Sequence, residues 1–396
     1  MKVLQVVKTS SGAVWAFQQA KYLIEKGVSV ITVLPDIDGS TAKKYIDNDM
    51  EIIVSDFSLP VLKPWKIVSR IKSIKKAVDT IKPDIIHMHF VTNAIMVRIA
   101  LRRSGVPRIF QVPGPLHMES PLFRFVEIAT SQKNDYWIGA CKRTCQLYLK
   151  AGIESDRVFL GYYGGYGGQA CDEYIPASGI LHKEFNIPSN IDLVGMVSYF
   201  YKPKWFLGEH RGIKGHEDFI DAISITRKTN PNIKGVIIGG AWKGSESYEK
   251  KVHEYASKVC PDGIVFTGMR NDLKKIYREL SVAVHPSHSE NLGGAAESLA
   301  AGVPTVTTKV GGFTDIVIDH VTGLTVTPQN ANELSNAIIT LLNNKEKARQ
   351  MAEKGRELVR DMLDIKSCGD KINEIYSKVL EMKKTYYGAS VGRENE

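Results

Sequence analysis

The sequence predicts an α/β protein built from two doubly wound parallel sheets in series. Chain length is the first reason, since 396 residues suffice for two domains of roughly 100–200 residues each. The second is a regular alternation of short apolar runs with amphipathic stretches, the pattern of βα units winding a parallel sheet. The third is that this alternation stops and then restarts. Between the halves, Tyr174-Ile175-Pro176-Ala177-Ser178-Gly179 and Ile187-Pro188-Ser189-Asn190 carry the Pro, Gly and Ser of a linker. The boundary falls near residues 178–190, with domains expected over 1–180 and 190–369.

In the first half the expected strands are Val3–Val7, Val28–Leu34, Glu51–Val54, Asp84–Met88 and Arg108–Val112, with another near Tyr136–Ile138. Apolar residues recur with helical period over Ala13–Lys26, Lys66–Ile81 and Asn93–Ser104. The second half repeats the grammar with strand Leu193–Val197, helix Gly215–Thr229, strand Gly235–Ile238, helix Ser247–Val259 and strand Ile264–Thr267. Helix Asp272–Leu280, strand Val282–His285, helix Gly294–Ala301, strand Pro304–Thr307 and two helices from Asn332 onward complete it. No tandem repeat is present; the biased segments are a Gly/Tyr stretch, Gly161–Gly168, and a polar tail from about Gly388.

Hydrophobic residues at 43% and charged residues at 24% are ordinary globular usage, which excludes disordered and collagen-like chains. The net charge of +9 favours anionic partners such as nucleic acid, a membrane surface or phosphorylated substrates. Five cysteines without a CxxC indicate neither a disulfide framework nor a zinc site, so a reducing compartment, the cytoplasm, is expected. The opening apolar run is interrupted at Lys8, too early for a signal-peptide core. No window approaches the ~18 apolar residues that span a bilayer. The chain is therefore expected to be soluble or attached to a membrane face.

Chemistry is expected at the strand ends. Lys8-Thr9-Ser10-Ser11-Gly12-Ala13 leads from the first strand into a helix, and such a turn lets backbone amides near Gly12 meet a phosphate or sugar hydroxyl. The same residues equally suit a plain tight turn. No GxGxxG or GxxxxGK[ST] occurs, so neither the dinucleotide nor the P-loop pattern is present. The richest segment runs from His285 to Pro304. There a strand ends in polar residues, turns through Gly293 and Gly294, and enters a helix of small residues at the sheet edge where open α/β sheets bind ligands. Glu297 can hold a ribose diol, amides around Asn291, Leu292, Gly293 and Gly294 can face a diphosphate, and Glu290 can point at a sugar ring.

This segment resembles the signature of family 4 glycosyltransferases, retaining enzymes of the GT-B fold, in which a Glu-x7-Glu pattern follows Pro-Ser and closes with Gly-x-Pro. Val310-Gly311-Gly312-Phe313-Thr314-Asp315-Ile316-Val317 and Thr322-Gly323-Leu324 resemble the next two blocks. Two departures stand out: six residues separate Glu290 from Glu297, and Asp315 stands where the family usually has Glu. The resemblance implies an Arg and a Lys clamping the donor diphosphate. Tyr199 occupies the usual Arg position, and Arg211-Gly212-Ile213-Lys214-Gly215 supplies both cations after an insertion through Lys202-Pro203-Lys204-Trp205. Fixed cations stabilise charge developing on a departing diphosphate.

By the same resemblance Gly239, Met269 and Arg270 border the nucleotide. Asp84-Ile85-Ile86-His87-Met88-His89 resembles the family's Asp-x-x-His-x-His strand, and Gln111–Glu119 follows the next strand. His117 is then expected at the reacting centre, with His89 and Glu119 near the acceptor. His87 and His89 are expected to point to opposite faces of their strand, making them poor chelating partners. Asp36-Ile37-Asp38 and Asp47-Asn48-Asp49 lie far from supporting motifs, and no metal site or cofactor is expected.

Residues 63–76 join Trp and aliphatics to six cations and no acid. That composition suits first a helix packed on the sheet with a solvated basic face, and as the alternative one resting on anionic lipid at the inner face of the cell membrane. No nucleic-acid module is recognisable.

The resemblance implies two Rossmann-like domains facing a cleft, with a final helix about 370–390 packing back on the first. It implies a hexosyl- or N-acetylhexosaminyltransferase moving a sugar from a nucleotide diphosphate, UDP first and GDP second, to a saccharide or small hydroxyl acceptor. Surface polysaccharide or glycolipid assembly is the expected setting, with an aminocyclitol acceptor as the alternative. A same-fold epimerase or phosphorylase, or a non-catalytic nucleotide-sugar-binding protein, would be a different outcome.

Overall fold

Strands that are apolar without alternation need cover on both faces, and flanking helices provide it. The computed structural model describes residues 1–165, 177–203 and 209–391. Tyr174-Ile175-Pro176 of the expected linker, the end of the Gly161–Gly168 stretch, Lys204-Trp205 and the last residues of the polar tail lie outside the described residues. The chain divides into two compact units, one of Met1–Gly165 with the segment from Met362, the other of Tyr166–Asp361.

In the first unit β1 (Lys2–Val6), β2 (Ser29–Leu34), β3 (Ile52–Val54), β4 (Ile85–His89), β5 (Arg108–Val112), β6 (Asp135–Gly139) and β7 (Val158–Leu160) form a parallel sheet in the order β3-β2-β1-β4-β5-β6-β7. In the second, β8 (Asp192–Val197), β9 (Ile233–Ile238), β10 (Ile264–Gly268), β11 (Val282–His285), β12 (Thr305–Thr308) and β13 (Leu324–Val326) run parallel in the order β10-β9-β8-β11-β12-β13. Each order reverses once, at β1/β4 and at β8/β11. Crossovers on either side of such a reversal lie on opposite faces, which opens a crevice at the carboxyl edge.

Three features differ from expectation. β7 and β13 are three-residue edge strands, too short to register as apolar runs. The chain from Asn332 forms three helices rather than two: Ala331–Asn343, Lys345–Met362 and Ile365–Val391. The last starts afresh because Asp364 Oδ2 accepts the amides of Lys366 and Ser367 at 3.1 and 3.0 Å, satisfying donors a helix start leaves open. Its Ile372, Ile375, Tyr376 and Val379 are buried at helical spacing and join the core formed with helix Val14–Glu25.

His87 and His89 are the third. Residues two apart on a strand share a face, and the two imidazoles lie 4.4 Å apart between centroids, not on opposite faces. Tyr376 Oη meets His87 Nδ1 at 2.5 Å, and Tyr163 Oη meets His89 Nδ1 at 3.1 Å. Both rings are held in the core beneath the carboxyl end of β4.

The basic segment divides in two. Helix Ile67–Ile81 packs on the sheet through Ile74, Val78 and Ile81, while Val61, Leu62, Trp65 and Val68 remain exposed. Among the described residues no helix is long and apolar enough to cross a membrane.

Candidate active site

A cavity of about 290 Å³ opens at the β8/β11 reversal of the second unit. Ser198 and Tyr199 follow β8, Gly239 follows β9, Met269 and Arg270 follow β10, and His285 ends β11; all line it. Lys214, Glu290, Gly293, Gly294 and Glu297 complete the wall. Eight sequence-predicted residues therefore converge: Lys214, Gly239, Met269, Arg270, Glu290, Gly293, Gly294 and Glu297.

Glu297 is the fifth residue of helix Gly293–Ala300, and helical side chains lean back toward the amino end. Its carboxylate accepts from Tyr277 Oη at 3.1 Å. Burial raises its pKa above the usual carboxylate value, with the Tyr277 hydrogen bond opposing. Lys214 Nζ donates to Glu290 Oε2, and the ammonium lies 5.7 Å from the Tyr201 ring centroid. Burial and the negative charge of Glu290 push the Tyr201 phenol up to about 12.

Local backbone explains why two distant loops meet here. Ile213 O accepts the amide of His288 at 2.8 Å. Gly215, at φ 74°, precedes helix His216–Thr229, and a Cβ there would stand 2.2 Å from Pro286 O. On the other side Gly312 N donates to Glu290 O at 3.2 Å. Glycine at 311, φ 50°, is required because a Cβ would lie 1.6 Å from the same carbonyl. The shortened Glu loop is thus clamped between the 213–215 turn and the Gly311-Gly312 turn.

Arg211 is not beside Lys214 in the cavity, contrary to the paired-cation expectation. Its guanidinium donates to Asp218 at 2.5 Å and Asp221 at 2.8 Å, with Tyr255 Oη at 3.5 Å. The turn between positions 211 and 214 sends the two side chains apart, and carboxylates on the following helix capture the arginine. Asp218 also accepts from His288 Nε2 at 2.6 Å, so Arg211 braces the loop that leads to Glu290. Asn291 and Leu292 also depart from expectation, since neither lines the cavity. Leu292 is buried, and the Asn291 amide donates to Glu290 Oε1 at 3.1 Å. The Arg270 side chain is engaged by Glu184 and Asp272 at 2.7–3.0 Å.

Gly12, His89, His117 and Glu119 belong to the first unit. Gly12, at φ 78°, precedes the helix that follows β1. His117 Nε2 meets Tyr148 Oη at 3.0 Å, and burial lowers its pKa. Glu119 is exposed. Among the described residues no cluster of three or more His, Cys, Asp or Glu side chains is arranged to hold a metal.

Sequence reasoning did not single out Tyr201, Trp242 or His285. Tyr199 and Trp242 meet edge to face at 5.0 Å, and Tyr201 lies 6.0 Å from Trp242. Tyr199-x-Tyr201 at a strand end was a readable signal, but Trp242 arrives from the next βα loop. His285 Nε2 meets Ser298 Oγ at 3.0 Å, and His216 Nε2 meets Ser198 Oγ at 3.0 Å. Burial, followed by the nearby charge of Lys214, lowers both imidazoles to about 3.

Those depressed values predict acid sensitivity. The folded state keeps both rings neutral, while the unfolded chain protonates them near pH 6.5, so stability is full above that value and falls as pH drops from 6.5 toward 3. Each ring should cost about 2 kcal/mol between pH 7 and pH 5. Urea denaturation at the two values should show this, with the pH slope reduced in His285→Asn. Equal slopes would overturn the assignment.

Fold and site together define a class: a two-unit doubly wound α/β protein whose second unit offers a cation, two carboxylates and a helix N-terminus at its switch point. Residues 205–358 match the family described as glycosyl transferases group 1, and residues 12–164 match glycosyltransferase family 4. The chain belongs to this glycosyltransferase family, and its fold is GT-B.

Over 154 residues the chain is 31% identical to the lipopolysaccharide 1,2-N-acetylglucosaminetransferase of Salmonella typhimurium, a match covering 37% of this chain and 40% of that protein. Over 147 residues it is 34% identical to the D-inositol 3-phosphate glycosyltransferase of Acidothermus cellulolyticus, covering 35% and 33%. The matched region spans about two fifths or less of these curated relatives' length. Among solved structures, Anabaena HepE in complex with UDP-glucose is similar with a TM-score of 0.79 at 19% identity, covering 95% of this chain and 99% of that one.

Proposed function

We propose that the protein is a retaining glycosyltransferase that takes a sugar from a nucleotide diphosphate, UDP foremost, and places it on a hydroxyl acceptor. The observation that carries this reading is the convergence of Lys214, Glu290, Glu297 and the Gly293-Gly294 helix start on one switch-point cavity. The similarity to HepE, solved with UDP-glucose, supports the choice of nucleotide.

In this reading Glu297 accepts from the ribose diol, and amides at the helix start face the diphosphate. Lys214 stabilises negative charge on the departing phosphate as the glycosidic bond breaks. Glu290, held against Lys214, directs the sugar. Backbone around Met269 and Arg270 reads the base. Retention follows a same-face course in which a diphosphate oxygen takes the acceptor proton, so no nucleophile and acid/base carboxylate pair of glycosidase type is invoked. No metal is required, because Lys214 and the helix amides supply the positive potential. His117 is assigned to the reacting centre, Gly12 to the donor and Glu119 to the acceptor, whereas His89, expected near the acceptor, is wholly buried with Gln5 and Tyr163 on its ring nitrogens and is left out. A saccharide of surface polysaccharide or glycolipid assembly is the acceptor proposed, with a small cyclitol as the alternative.

Calorimetric titration with UDP, GDP, dTDP and ADP tests the donor site. UDP should bind most tightly, and Glu297→Ala should weaken it by about tenfold or more through loss of a charge-assisted hydrogen bond. If none of the four binds, the donor-site reading fails. A second reading, a nucleotide-sugar-binding protein without turnover, draws on Tyr199 at the usual Arg position and on Arg211 being engaged outside the cavity. Donor binding without sugar transfer to any of a broad panel of saccharide and cyclitol acceptors would favour it.

A further inference from the structure

Among the described residues, seven large apolar side chains are at least 60% exposed, and six of them lie in two short segments: Val61, Leu62, Trp65, Val68, Leu122 and Phe125. The first segment leads into helix Ile67–Ile81 and the second opens helix Pro121–Ala129. Both helices pack against helix Val91–Ala100, on the sheet face whose core includes Ile74, Val97 and Met118. Leu59 N donates to Thr92 O at 3.0 Å, which sets the first segment beside the start of that middle helix. Helix Pro121–Ala129 begins shortly after β5 ends at Val112, which sets its start at the carboxyl edge. Arg98, near the end of the middle helix, donates at 3.0 Å to Glu127 O, near the other end of helix Pro121–Ala129, so the two helices run in the same sense. Both exposed segments therefore sit at one edge of one layer, with a single helix between them, about 20 Å apart by ordinary helix packing. It is the edge at which β4 ends in His89.

Around the first segment stand Lys63, Lys66, Lys72, Lys75 and Lys76, all exposed. Arg70 is paired with Asp56, and no acid occurs from 63 to 76. Near the second, Arg124 is half-buried and Glu119 exposed.

We propose that this edge of the first unit rests on an anionic lipid surface. Leu62, Trp65, Leu122 and Phe125 enter the headgroup region, Lys63 and Lys66 lie at phosphate level, and the lysines further along the helix stand in the attractive field above it. Charge complementarity selects this occupant. Two copies of the chain meeting through this edge would oppose two lysine clusters, whereas an anionic bilayer pairs each cluster with opposite charge. Trp favours the membrane interface because its ring is apolar and its N–H polar, and long lysine stems reach upward while their apolar carbons stay in contact. Helix Ile67–Ile81 uses its own apolar stripe on the sheet, so insertion falls to the segment before it. The proposal stands apart from the donor-site reading, which concerns the second unit.

The test is flotation of the full chain with vesicles of phosphatidylcholine alone or with phosphatidylglycerol. The wild-type chain should float with the anionic vesicles, less so as salt rises, and not with phosphatidylcholine alone. Leu62→Ser with Trp65→Ser should lower the partition coefficient at least about tenfold from the lost apolar insertion, and Leu122→Ser with Phe125→Ser should lower it independently. Lys72→Glu with Lys75→Glu should remove the dependence on anionic lipid. Thermal melting and UDP titration of each variant should match the wild type, separating a folding or donor-site failure from a loss of lipid binding. Equal flotation of wild type and the serine variants overturns the proposal. So does an absence of flotation by the wild type, or a wild-type self-association in sedimentation velocity that the serine variants abolish.

Discussion

Lys214→Ala should lower turnover by about 10²- to 10³-fold, the loss typical of removing one fixed donor from a charge-developing site, and should weaken UDP binding as well. The reasoning is geometric. Lys214 lines the switch-point cavity and its ammonium is fixed by Glu290 and set near the face of Tyr201. Steady-state kinetics with the matched donor, compared with Arg211→Ala, decides the point. Arg211 touches Asp218, Asp221 and Tyr255 rather than the cavity, so its removal should act through the bracing of the 211–215 and 286–290 loops. Arg211→Ala should lower thermal stability, because Asp218 and Asp221 lose their partner, and should reduce turnover far less than Lys214→Ala. Equal losses in turnover would mean that both cations reach the diphosphate and that Arg211 is not confined to bracing the loops.

Gly311→Ala should produce the second large effect. A methyl group at 311 would lie 1.6 Å from Glu290 O on a backbone at φ 50°, so the clash is with main chain and cannot be relieved by a rotamer change. Either the Gly311-Gly312 turn or the Glu290 loop must move. Donor affinity and turnover should fall together, because Glu290 and Lys214 are positioned through that loop, and stability should drop by about 3 kcal/mol, combining steric strain with left-handed backbone cost. Gly27→Ala is the control. It shares a positive φ, 81°, with nothing within 4 Å of the new atom, and should cost only about 1 kcal/mol with activity unchanged. Chemical denaturation and donor titration on both variants separate strain in the backbone from displacement of the site.

Much of the site was readable because its residues are consecutive. Glu290, Gly293, Gly294 and Glu297 sit on one strand-turn-helix connection, and the chemistry of such a connection is set by local backbone direction. Lys214 was also readable as a cation placed just before a helix that follows the unit's first strand. Arg211 was misread because two side chains three residues apart in a turn have no fixed relation. The competing carboxylates, Asp218 and Asp221, lie on the next helix. The histidines of β4 were misassigned by a mistaken strand period, and their common face follows from the pleat itself.

What the sequence alone determined was the alternation of the principal strands and helices, the two-sheet architecture and the switch-point position of the signature segment, since periodicity and strand ends are local properties of the chain. The short edge strands β7 and β13 and the break before the last helix carry no such period. The tertiary structure decided which loops touch: that Gly215 meets Pro286, that Gly311 and Gly312 meet Glu290, and that Tyr199, Tyr201 and Trp242 share one corner. It also decided that the basic helix is packed on the sheet while the apolar residues before it face outward. Contacts between residues far apart in sequence depend on sheet order and side-chain competition, and a periodic pattern carries neither.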